Sequence, residues 1–189
     1  IICPHRFLED NIVFHDICLN NFGTSDNVLL FKEVHLKNIG SFDFVLVKHK
    51  PISSEIEDFC VVEFQSDSTT GTGKLVQALT DYIDKGKIME NYRFGLNTYN
   101  TIKLSYIQML MKGQLMEKWK KNIYWVMQSY VYYNMIKRFN LKNMSSVSSN
   151  KTKYFVYDLV PYKNRQRIEL IEKKSSTITN LLKAFSNQP

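Results

Sequence analysis

Gly40-Ser41-Phe42-Asp43-Phe44-Val45-Leu46-Val47 and Cys60-Val61-Val62-Glu63-Phe64-Gln65, with Glu63 twenty positions after Asp43, decide the fold. Both are runs of branched and aromatic residues with strand preference. In each, an acid stands among apolar neighbours, where desolvating a carboxylate costs several kcal/mol unless a cation or donors compensate. Strand side chains alternate faces, so Glu63 and Gln65 point one way with Phe64 opposed, and Asp43 reaches them from a neighbouring strand. Two acids and an amide oxygen then converge. That set suits a hard divalent cation, most naturally magnesium with manganese as the alternative, which keeps several waters and completes its shell with phosphate oxygens. The bland reading is two strand-edge acids paired with Lys or Arg.

Working outward, Val28–Leu36 reads as a further strand, joined to residues 42–47 by the turn at 37–41; with 59–64 these form an antiparallel meander. Residues 7–22 predict a first helix closed by Gly23. After the third strand come a Thr/Gly turn and a helix with Leu75, Val76, Leu79, Tyr82 and Ile83 on its apolar face, ending near Gly86. A long helix follows through Ile102, Tyr106 and Met109 to Met116, interrupted at Gly113. Residues 123–127 read as a buried strand, 130–139 as a helix, and 154–160 as a strand stopped by Pro161. Ser175 or Ser176 caps a last helix carrying Ile178, Leu181, Leu182 and Phe185. Residues 143–150, rich in Ser and Asn, read as a flexible loop.

With 189 residues, 44% of them hydrophobic, the chain can bury one sizeable core, and we expect a single domain over 1–189. Its net charge of +7 is unevenly placed: residues 1–111 carry 10 basic and 14 acidic side chains, residues 112–189 carry 15 and 4. An acidic half that holds metal beside a basic half that holds a polyanion is one reading; two solvated faces are the other. Cys3, Cys18 and Cys60 cannot form a closed disulfide set, which points to a reducing, cytoplasmic setting. No run reaches the roughly 18 apolar residues of a membrane span, and no signal-peptide order stands at the start. Opening on Ile1, the chain reads as processed or truncated upstream.

The order helix, meander, helix, strand, with Gly40-Ser41-Phe42-Asp43 and Val62-Glu63-Phe64-Gln65 on successive strands, resembles the PD-(D/E)XK nuclease core. Gln in place of the usual Lys, after Cys3-Pro4-His5-Arg6-Phe7 and before a Thr/Gly-rich turn, most resembles NotI-type restriction endonucleases. The resemblance implies an α/β fold with a restriction-endonuclease-like core, a mixed central sheet flanked by helices, with Asp43 and Glu63 as magnesium ligands. Gln65 takes the place of the family's catalytic Lys. A lysine acts there as a cation, whereas neutral Gln65 orients water only through hydrogen bonds. Gln77 and Tyr82 resemble a Gln-to-Tyr element that faces the site in some related nucleases; the simpler reading puts Tyr82 in the core and Gln77 at the surface.

Glu33 is a candidate third acid if the 37–41 turn sets His35 opposite Asp43, an arrangement that a one-residue slip reverses. Thr70-Gly71-Thr72-Gly73-Lys74 fails as a phosphate loop because Ser68 and Leu75 stand where Gly and Ser/Thr are required, which leaves Lys74 as a DNA-phosphate contact. Lys120, Lys121, Arg165 and Arg167 are the expected DNA contacts of the basic half, and the two arginines could read guanines. Trp119 and Trp125 read as packing residues. Cys3, His5, His15 and Cys18 have a spacing that zinc could use, but Cys18 on an apolar helix face reads as a core thiol.

The expected function is magnesium-dependent hydrolysis of double-stranded DNA by a type II restriction endonuclease. The resemblance and the symmetry of palindromic sites imply a homodimer. The rivals are a low-specificity repair or mobile-element nuclease and an inactive, nuclease-folded DNA-binding module.

Overall fold

The computed structural model describes residues 3–89, 91–141, 144–146 and 149–186. The segment predicted as one helix over 7–22 is two: a 3-10 helix Pro4–Asn11, then α1 (Ile12–Phe22). Asp10 and Asn11, at φ 52° and 55°, break the helical path between them. Gly23, at φ 74°, ends α1 and returns its N–H to Leu19 O.

The meander forms as read: β1 (Val28–Leu36), β2 (Gly40–His49) and β3 (Ile56–Gln65) pair antiparallel. The ribbon of β4 (Thr69–Thr70) and β5 (Gly95–Leu96) flanks α2 (Thr72–Lys85), and α3 (Thr98–Trp119) follows. The chain then adds β6 (Asn122–Gln128), α4 (Ser129–Phe139), β7 (Thr152–Tyr162), β8 (Arg165–Ser176) and α5 (Ile178–Ser186). One mixed sheet results, ordered β1-β2-β3-β6-β7-β8, with β6 parallel to both β3 and β7. Its hydrophobic faces are covered separately. Leu46, Val62, Tyr124, Val126 and Phe155 pack under the 3-10 helix and α1, while Val61, Ile123, Trp125, Met127 and Tyr154 pack under α3, α4 and α5. Alternation along each buried strand produces the two cores. This is the mixed, helix-flanked sheet of the restriction-endonuclease-like core that the resemblance implied.

Several elements depart from the sequence reading. Pro161 does not stop β7; it pairs with Gln166 of β8 beyond the end of β6, where β7 has a partner strand on one side only. Ser175 and Ser176 belong to β8 and are buried, and Thr177 instead caps α5 by accepting the Asn180 N–H at 3.2 Å. Gly113 does not interrupt α3. A Cβ there would collide with Ile178 Cδ1 and stand 3.1 Å from Thr152 Oγ1, so Gly lets α3 close onto α5 and β7. Helix α2 buries only Ala78 and leaves Val76, Leu79, Tyr82 and Ile83 exposed, because no element among the described residues covers its apolar face. Of the 143–150 segment, residues 143, 147 and 148 lie outside the described residues, as does the Phe185 side chain; Ser145 bridges to Ser175. Cys18 is a core thiol, as read.

Candidate active site

At Asp43 the sheet opens. Backbone pairing of β2 with β3 ends at Phe44 and Val62, and Asp43 Oδ2 takes over by accepting the Phe64 N–H at 2.8 Å. The carboxylate is thereby pinned between the strands. On the other flank, Glu33 falls between the pairs Lys32–Phe44 and Val34–Phe42 with φ 51°, a left-handed break in β1. His35 sits opposite Ser41, not Asp43, and the two side chains lie 3.2 Å apart. Glu33 is exposed and is not among the residues that line the cavity.

Glu63 and Gln65 project from β3 toward α3. Ser41, Asp43, Glu63, Gln65, Ser105, Gln108 and Lys112 line one cavity of about 340 Å³. Gln65 is tethered at both ends of its amide: Ser105 donates to Oε1, and Nε2 donates to Gln108 Oε1 at 3.4 Å. Glu63 is 1% exposed. Burial pushes its carboxyl up to about 7, against the opposing pull of Lys112.

Lys112 is the residue that sequence reasoning missed. Its Nζ donates to Glu63 Oε2 at 2.7 Å and to Ser41 O at 2.8 Å, with the ion-paired side chains 8% and 2% exposed. A signal existed. Ser105, Met109, Lys112 and Met116 repeat at helical spacing along the buried stripe of α3, and a charge inside such a stripe asks for a partner.

The other candidates do not join this cluster. Lys74 and Gln77 bond to each other at 3.2 Å on exposed α2, and Tyr82 is at the surface rather than in the core. Lys120 caps α3 in a left-handed conformation, and Lys121 pairs with Asp58 at 2.5 Å. Both lie at the end of the sheet opposite Gln65, since Asn122 pairs with Cys60 while Met127 pairs with Gln65. Arg165 and Arg167 stand on the β7–β8 hairpin, which runs past the end of β6 on the cavity's side of the sheet. Arg167 stacks 4.6 Å from the Tyr162 ring and pairs with Glu169 at 3.2 Å.

Glu63 Oε1 is buried without a hydrogen-bond partner among the described residues, an orphaned acceptor that a divalent cation beside Asp43 would satisfy. Among the described residues no group of three or more His, Cys, Asp or Glu gathers. A mixed sheet split at an aspartate, with a glutamate on the adjacent strand inside a polar cavity, defines a restriction-endonuclease-like enzyme. The chain matches the family described as Restriction endonuclease NotI over residues 1–170 of its 189, and belongs to that family of DNA-cleaving enzymes. A search of curated proteins finds no match. No helix among the described residues is long and apolar enough to cross a membrane.

Proposed function

We propose that the protein is a magnesium-dependent type II restriction endonuclease that hydrolyses phosphodiester bonds of double-stranded DNA at the Asp43–Glu63 site. The observation that carries this reading is the orphaned Glu63 Oε1 beside pinned Asp43 in a polar cavity, in a chain of the NotI family. A divalent cation held by Asp43 and Glu63 would supply an acidified water and charge stabilisation at phosphorus. Asp43 keeps its orientation through the Phe64 N–H, leaving Oδ1 for the ion. Gln65, fixed by Ser105 and Gln108, orients the attacking water by hydrogen bonding but cannot take its proton. The proton therefore leaves to solvent. The β7–β8 hairpin with Arg165 and Arg167, on the cavity's side of the sheet, contacts the DNA backbone.

Cutting both strands at one symmetric site calls for two copies. The exposed apolar face of α2, on the helix that follows the catalytic strand, is the surface we assign to the second copy. Sedimentation should show a dimer in the wild type and a monomer for Ile83→Glu; identical profiles would remove α2 from the interface.

The decisive test is cleavage of plasmid and phage DNA with magnesium, manganese or EDTA. Discrete metal-dependent fragments that vanish in Asp43→Ala and Glu63→Ala are expected. A smear would point to a nuclease of low specificity. Salt-sensitive DNA binding without cleavage would overturn the enzyme in favour of a binding module.

A further inference from the structure

We propose that Lys112 is a catalytic residue, supplying from α3 the fixed positive charge that neutral Gln65 cannot. The proposal rests on the nuclease reading above. Asp43 and Glu63 together cancel the charge of one divalent cation, so the loaded site would be electrically neutral without a further cation. Among the described residues Lys112 is the one cationic side chain lining the cavity. Its placement matches the need. Lys112 stands one helical turn beyond Gln108, which bonds Gln65, so the ammonium and the amide that tethers the water-orienting Gln65 are carried by the same face of α3.

The ammonium has three protons. One goes to Ser41 O and one to Glu63 Oε2, leaving the third for a group that enters the cavity. Ser41 O is a backbone atom at the start of β2, so this anchor persists when Glu63 turns to a metal. Lys112 then donates to a non-bridging oxygen of the scissile phosphate. Water oxygen bonds to phosphorus, the bond from phosphorus to the leaving ester oxygen breaks, and that oxygen takes a proton from solvent. Lys112 stays protonated throughout and stabilises the extra negative charge of the pentacovalent state. A purely structural lysine would have to justify burying an ammonium whose one acidic partner among the described residues is a residue that a metal would also claim.

The test compares wild type, Lys112→Met and the double variant Lys112→Met/Gln65→Lys, which returns an ammonium to β3 beside Glu63 and so guards against loss of folding. Three readouts are taken: single-turnover cleavage with magnesium, DNA binding with calcium, and Mn²⁺ binding by calorimetry without DNA. Lys112→Met should cut about 100-fold more slowly or worse while binding DNA within about threefold of wild type. Its Mn²⁺ affinity should hold or rise, because a competing cation has left the carboxylates. The double variant should recover at least about tenfold in rate. Cleavage by Lys112→Met within about threefold of wild type would overturn the proposal. So would a rate loss matched by lost Mn²⁺ affinity, which makes the lysine a positioning residue for the metal ligands. Failure of wild type to cut any DNA with magnesium or manganese would instead sink the nuclease reading, and the proposal with it.

Discussion

Two of the carboxylate–lysine pairs on strand β3 have nearly equal length and opposite character. Asp58 meets Lys121 at 2.5 Å with side chains 40% and 30% exposed; Glu63 meets Lys112 at 2.7 Å with 2% and 8%. At the open end water screens both charges, and such pairs contribute about 0 to 1 kcal/mol. At the closed end each partner depends on the other, and removing one strands a buried charge. Distance alone therefore says little about what an ion pair does; the dielectric around it decides.

The comparison breaks most visibly in catalysis. Glu63→Gln should lose about 1,000-fold or more in cleavage rate, whereas Asp58→Asn should stay within about twofold, as single-turnover kinetics would register. Stability should diverge next. Lys112→Ala should cost about 3 kcal/mol by urea unfolding and Lys121→Ala under about 1 kcal/mol.

Titration sharpens the contrast. Glu63 is raised to about 7 in the folded protein, so the folded state binds its proton more tightly than the unfolded chain does. Metal-free stability should then fall as pH rises from the ordinary carboxylate range to about 7, by up to about 3 kcal/mol, and level off above it. Unfolding in EDTA across that window should show the slope in wild type and a flattened one in Glu63→Gln. The smallest difference is in salt. Raising sodium chloride to about 1 M should erase most of the Lys121→Ala effect and leave that of Lys112→Ala nearly intact.

The site was legible where strand periodicity speaks. Asp43, Glu63 and Gln65 could be placed together because acids inside apolar strands have few acceptable environments, and alternation fixes which side chains share a face. Lys112 was not, because a lysine on a helix is ordinarily solvated and only its neighbours Met109 and Met116 mark it as inward. The sheet's far edge was hidden for a related reason. In β8 the alternation of Arg167, Ile168, Glu169 and Leu170 carries too much charge to read as a strand until β7 is there to receive it. Amphipathicity predicted that α2 is a helix but not what lies against it, and the β1–β2 register, with His35 opposite Ser41, is set by a turn that closes between Leu36 and Gly40, which counting alone could not choose.

Gly113 sits directly after Lys112, and its missing side chain lets Ile178 of α5 press against α3. Yet Ile178 lies beyond residues 1–170, the stretch shared with the family. Asp43 and Glu63 thus lie within the matched stretch, while the seating of the helix that carries Lys112 depends on a residue outside it. A chimera that joins only residues 1–170 to another C-terminus would keep Asp43, Glu63 and Lys112 and lose Ile178, so the cavity's side chains and the contact that seats their helix do not share a boundary here.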